Sequence, residues 1–87
     1  MESILVASMV YVLSLQHGKY YVGTTYNLNF RYAQHLSGHG ARWTKLYKPT
    51  GIVKVILGGR DEENCLTKEL METYGRENVR GGNWCSP

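Results

Sequence analysis

Two β-rich runs, Val6–Leu15 and Lys19–Thr24, flank the polar tripeptide Gln16-His17-Gly18 and predict a β-hairpin. A three-residue loop with Gly18 in the left-handed conformation is a common way to close such a hairpin. It pairs Leu15 with Lys19, Leu13 with Tyr21 and Tyr11 with Gly23. Because strand side chains alternate between faces, Tyr11 and Tyr21 then share a face as diagonal cross-strand neighbours. A two-residue His17-Gly18 loop would slip the register and send Tyr21 to the other face, so the three-residue closure is the expectation.

Beyond the hairpin the apolar period lengthens. Leu28, Tyr32 and Leu36 recur every four residues and, with Ala33, mark the buried face of a helix. That helix runs from a cap at Thr25 or Asn27 to about Leu36. Arg31 and His35, also four apart, lie beside that stripe and point to a site at the rim of the sheet. Ser37-Gly38-His39-Gly40 breaks the helix, and a short helix over Ala41–Leu46 follows with Trp43 as its anchor. Pro49-Thr50-Gly51 reads as a turn and Ile52–Leu57 as a third strand, ended by Gly58-Gly59. A last helix begins after Asp61 as cap, with Glu62 and Glu63 in its first turn, and stops at Gly75. Glu63 precedes Leu66 by three residues and Leu70 by seven, which puts its carboxylate in phase with the apolar stripe. Burial of such a group is costly unless a metal ion or a Tyr/Arg cluster partners it.

The 87 residues make one domain, 1–87, with one modest core and no repeats. The net charge of +3 is compatible with a polyanionic partner without requiring one. Cys65 and Cys85 provide neither zinc spacing nor a disulfide framework, so a reduced, intracellular chain is expected. Ser3–Leu15 is apolar, but it lacks a basic flank and is too short to span a bilayer. It reads as the first strand, and no membrane association is expected.

Met9-Val10-Tyr11, Tyr21-Val22-Gly23, Arg31 and His35 together resemble the signature of the GIY-YIG nuclease superfamily. Gly40-Ala41-Arg42-Trp43-Thr44, Glu63-x-x-x-Thr67 and Tyr74-Gly75-x-x-Asn78-Val79-Arg80-Gly81-Gly82 extend the resemblance to Trp84. Met9 departs from it, standing where the family name has glycine. The resemblance implies an α/β (α+β) domain: a small three-stranded antiparallel sheet flanked by helices, in the order β-β-α-(α)-β-α. It also implies hydrolysis of DNA phosphodiester bonds with a divalent metal, Mg²⁺ or Mn²⁺. Catalytic roles carry over onto Tyr11, Tyr21, Arg31, His35, Glu63 and Asn78, with Glu63 as the metal ligand.

These roles are chemically intelligible. One carboxylate completed by waters and phosphate oxygens is a usual magnesium shell. Arg31 suits developing charge on a phosphoryl group, and His35 is assigned with it to the phosphate. Tyr11 would take a proton from the attacking water; a free tyrosine titrates near ~10, so it must be tuned down or relayed. Tyr21 orients the phosphate or the water, and Asn78 supports the site. Each residue alone has a structural reading: hairpin core for the tyrosines, a solvated helix edge for Arg31 and His35, a helix-dipole partner for Glu63 or its neighbour Glu62. Their conjunction selects the site. Lys19, His39, Arg42, Lys45 and Arg80 are candidate DNA contacts; Arg80 has a competing role as a brace for the C-terminus. Two alternatives remain: a DNA-binding module of the same fold without cleavage, and a phosphodiesterase acting on RNA or branched DNA. A partner domain or subunit would supply specificity; the oligomeric state is open.

Overall fold

The computed structural model describes residues 7–87, so Val6, expected to open the first strand, lies outside the described residues. Strands β1 (Met9–Leu15) and β2 (Lys19–Thr25) pair antiparallel across a 3₁₀ turn at Gln16–Gly18. Leu15 faces Lys19, Leu13 faces Tyr21 and Tyr11 faces Gly23, the register of the three-residue closure. Gly18 is left-handed as expected (φ 69°), and His17 joins it (φ 63°). Histidine is among the residues that tolerate this region, and the His17 ring meets the edge of Tyr47 at 6.1 Å between centroids.

Helix α1 (Leu28–Leu36) is capped by Asn27, whose side chain accepts from the Phe30 amide. Helix α2 (Arg42–Leu46) leads into strand β3 (Pro49–Leu57), and helix α3 (Arg60–Tyr74) follows. Ala7 and Ser8, expected within the first strand, precede it, and two further boundaries differ from expectation. Pro49-Thr50-Gly51 extends β3 instead of forming a turn, with Leu15 opposite Pro49 and Ser14 opposite Gly51. The register shifts on β1 near these pairs, and β3 is an edge strand, where proline and glycine are tolerated. Helix α3 is capped by Gly59, not Asp61, because Glu62 reaches back 2.7 Å to the Gly59 amide. This is the carboxylate half of a capping box.

Among the described residues the sheet has four strands in the order β3-β1-β2-β4, rather than three antiparallel ones. Strand β4 (Val79–Gly81) follows a 3₁₀ turn at Arg76–Asn78 and runs parallel to β2, Tyr20 beside Val79 and Val22 beside Gly81. Three residues ending in glycine carry no readable alternation. What specifies the strand is tertiary: Val79 is fully buried, and a Cβ on Gly81 would run into the Val22 carbonyl.

Each face of the sheet has its own core. Val10, Val12 and Val22 pack with Leu66 and Met71 of α3 and with Val79. Tyr11, Leu13, Leu15 and Tyr21 pack with Trp43 on the other face, closed by Leu28 and Tyr32 of α1. The stripe expected on α1 is rotated: Leu36 is 48 % exposed and Ala33 is exposed, while His35 is 1 % exposed. Burying an imidazole in place of a leucine is tolerable because both of its ring nitrogens are hydrogen-bonded. Among the described residues, no helix is long and apolar enough to cross a membrane.

Candidate active site

Chain topology brings three element starts to one end of the sheet. Tyr11 is the third residue of β1, and α1 begins directly after β2, with Arg31 and His35 in its second and third turns. The Gly58 amide bonds to the Ser8 carbonyl at 3.1 Å, pinning the start of α3 and hence Glu63 to the head of β1.

Tyr11 and Tyr21 lie on the same face with ring centroids 6.3 Å apart, and the His35 ring stands 5.8 Å from Tyr11 and 5.1 Å from Tyr21. The Tyr11 hydroxyl is 2.7 Å from His35 Nε2. On the far side of the imidazole, Nδ1 is 2.9 Å from the Thr44 hydroxyl, which donates to the Ala41 carbonyl at 2.8 Å. Two glycines make room for this chain. A Cβ on Gly23 would run into the Tyr11 hydroxyl, and one on Gly40 would run into His35 Nδ1.

Burial first, then the neighbouring Tyr21, pushes Tyr11 well above the ordinary tyrosine value, against the opposing hydrogen bond and charge of Arg31. Tyr21 is raised too, by burial and then by Cys85, with Arg31 again opposing and Glu63 adding. His35 is pushed down to about 4 by burial and by the Arg31 charge. The resting site therefore holds two protonated tyrosines and a neutral imidazole, with Arg31 and Glu63 within electrostatic reach of both hydroxyls. Arg31 also donates to Gln34 Oε1 at 2.9 Å.

The expected cluster of Tyr11, Tyr21, Arg31, His35 and Glu63 is thus gathered. His35 is buried, 1 % exposed, and its Nε2 meets the Tyr11 hydroxyl. Glu62 accepts from the Gly59 amide, whereas no side-chain hydrogen bond engages the Glu63 carboxylate among the described residues.

Asn78 is not brought to this cluster. It sits at the hairpin-tip end, where its side chain accepts from Lys19 Nζ at 2.7 Å and donates to the Tyr74 carbonyl at 2.6 Å. Lys19 also stands over the Tyr47 ring, 5.3 Å from its centroid. Arg80 lies 4.6 Å over Trp43 and donates to the carbonyls of Arg76, Val79 and Ser86. Both cations brace neighbouring elements through these contacts. His39, Arg42 and Lys45 are exposed, and His39 Nδ1 contacts the Ser37 hydroxyl at 3.0 Å. Lys45 and Lys48 line a cleft of about 280 Å³ against which His35 and Thr44 abut. Sequence reasoning missed Thr44 and the space-making roles of Gly23 and Gly40. The available signal was the run Gly40-Ala41-x-x-Thr44, five residues after His35.

Residues 7–76 match the family model of the GIY-YIG catalytic domain. The chain belongs to the GIY-YIG family. Nuclease-type activity is what such a domain points to, and the matched range contains Tyr11, Tyr21 and Gly23. A UPF0213 protein of Neisseria meningitidis is 31 % identical over 61 residues, 70 % of this chain and 66 % of its own length. One from Neisseria gonorrhoeae shows the same identity and coverage, and one from Streptococcus pneumoniae is 39 % identical over 62 residues, 71 % of this chain and 62 % of its own. The GIY-YIG chain thus spans slightly less than two thirds of these relatives. No solved structure matches it.

The donor set bears on which metal the domain would accept. Among the described residues, no three His, Cys, Asp or Glu side chains converge on one point. A closed zinc centre does not fit. A single carboxylate beside an arginine does fit Mg²⁺ or Mn²⁺, which keep several waters and take substrate oxygens.

Proposed function

We propose that this GIY-YIG domain is a divalent-metal-dependent endonuclease that hydrolyses DNA phosphodiester bonds. The observation that carries the reading is the convergence of Tyr11, Tyr21, Arg31, His35 and Glu63 at one end of the sheet, with the Tyr11 hydroxyl 2.7 Å from His35. Glu63 would hold Mg²⁺ or Mn²⁺, which when bound polarises the scissile phosphate and stabilises the leaving oxygen.

Arg31 forks onto the non-bridging phosphate oxygens and balances the charge that develops there. Tyr11 is 1 % and Tyr21 8 % exposed, so the two hydroxyls must be uncovered for water and the substrate phosphate to reach them. Tyr11 takes the proton from the attacking water. Because burial holds its own proton tightly, it does so as a relay, releasing that proton to His35 as it accepts the new one. Tyr21 orients the water against the phosphate. The exposed cations Arg42 and Lys45 on α2, with His39 just before it, supply backbone contacts outside the reacting centre.

The test is incubation of the purified chain with supercoiled plasmid in Mg²⁺, in Mn²⁺ and in chelator, with Glu63→Gln alongside. Nicking or linearisation that requires metal and disappears in Glu63→Gln supports the reading. DNA binding without cleavage in either metal would replace it with a binding module of the same fold. Cleavage confined to RNA would replace the substrate.

A further inference from the structure

A neutral imidazole carries one proton, and the nitrogen that holds it sets the direction of both hydrogen bonds the ring makes. Tyr11 and Thr44 hydroxyls stand at the two nitrogens of His35, 2.7 Å from Nε2 and 2.9 Å from Nδ1. The second partner of Thr44 decides between the two arrangements. Its oxygen lies 2.8 Å from the Ala41 carbonyl oxygen, which can only accept. Two oxygens at that separation with no proton between them repel, so the one Thr44 proton lies on that line. Thr44 therefore meets His35 with a lone pair. Nδ1 carries the imidazole proton, Nε2 is bare, and Tyr11 donates to it.

We propose that Thr44 is a positioning residue that holds His35 in the Nδ1–H tautomer, so that Nε2 is poised to receive the Tyr11 proton. The tautomer follows from geometry alone; its use in catalysis rests on the function proposed above. In that step the Tyr11 O–H bond breaks and a bond from hydrogen to Nε2 forms. The electron pair left on the Tyr11 oxygen takes a proton from water. The net change is one proton moved from water to His35, leaving hydroxide for the phosphorus and an imidazolium held by Thr44.

The surroundings are built for this. Thr44 is 1 % exposed, so bulk water does not compete for its lone pair. The Ala41 carbonyl is itself fixed, accepting from the Thr44 and Lys45 amides at 3.1 and 3.2 Å as α2 begins. Gly40 leaves the room that lets the imidazole edge reach α2. The segment Gly40-Ala41-x-x-Thr44 is, on this account, the holder of the catalytic histidine rather than a connector.

The test reads the tautomer directly. Long-range ¹H–¹⁵N correlation spectra of the full chain at neutral pH assign the protonated nitrogen of His35 in the wild type, Thr44→Ser and Thr44→Val. Single-turnover plasmid cleavage in Mg²⁺ is measured beside them. Nδ1–H is expected in the wild type and in Thr44→Ser, which keeps its rate within about threefold, while Thr44→Val loses the fixed tautomer and roughly 10²-fold in rate with plasmid binding unchanged. Nε2–H in the wild type would overturn the proposal, as would Thr44→Val retaining both the tautomer and the rate. If the wild type cleaves nothing, the proposed function fails while the spectra still decide what Thr44 does. If Thr44→Val does not fold, the wild-type and Thr44→Ser spectra decide alone.

Discussion

The two ends of this sheet are made of the same materials and put them to opposite uses. Each has tyrosines, an arginine and a side chain that accepts hydrogen bonds. At the hairpin tip the cations are consumed: Lys19 bonds Asn78 and covers Tyr47, and Arg80 lies on Trp43 while donating to three carbonyls. Tyr20 and Tyr74 stack there at 4.4 Å. At the Tyr11 end, Arg31 bonds Gln34 and faces the two tyrosine hydroxyls, and the Tyr11 hydroxyl touches an imidazole nitrogen instead of a carbonyl. Satisfied donors hold a fold together. Groups left with spare capacity beside a neutral acceptor can do chemistry. Residue type alone does not separate the two; what each polar atom is already bonded to does.

Substitutions at the two ends should differ in effect, and in a definite order. Glu63→Gln should abolish metal-dependent plasmid cleavage, a loss of about 10³-fold or more. Its neighbour Glu62→Gln should cost about 1 kcal/mol of stability in denaturant melts and leave cleavage nearly intact, because Glu62 only caps α3. Arg31→Lys should lower the cleavage rate roughly 10²-fold at unchanged stability, since a lysine cannot fork onto the phosphate. The matching change at the braced end, Arg80→Lys, should lower the melting temperature and leave the rate alone.

Acidification is the third way to separate the ends. His35 titrates at about 4 when folded against 6.5 ordinarily, so the unfolded chain binds its proton first as pH falls. The stability it lends is complete above the ordinary value and is lost between there and about 4, a change on the order of 3 kcal/mol. Urea melts across that range check it, and His35→Gln should flatten the slope. The smallest effect is expected at the tip: Lys19→Met should cost about 1 kcal/mol by orphaning Asn78, with no change in rate.

The parts of this molecule that were legible in the sequence are those set by local rules. The hairpin register follows from loop length and side-chain alternation, and it puts Tyr11 and Tyr21 on one face. The gathering of Arg31 and His35 followed from a four-residue spacing on a helix that starts where β2 ends. What stayed hidden depends on contacts distant in sequence. Strand β4 exists because Val79 fills the core beside Val22, which three residues cannot announce. The burial of His35 depends on Thr44 supplying an acceptor, so helical phase alone favoured Leu36 as the inner residue. Asn78 matched a family motif by position, yet its side chain is tied to Lys19 across the sheet edge.

On the proposed function, the chemistry belongs to the Tyr11 end of the sheet and not to the Asn78 end. The most direct measurement is the single-turnover rate of plasmid cleavage in Mg²⁺ for Tyr11→Phe and Asn78→Ala, each confirmed folded by its melting curve. Tyr11→Phe, which keeps the ring and removes only the hydroxyl on His35, should lose roughly 10²- to 10⁴-fold, and Asn78→Ala should stay within a few-fold of the wild type. Near-normal cleavage by Tyr11→Phe together with a dead but folded Asn78→Ala would contradict the account and move the reacting centre to the other end of the sheet.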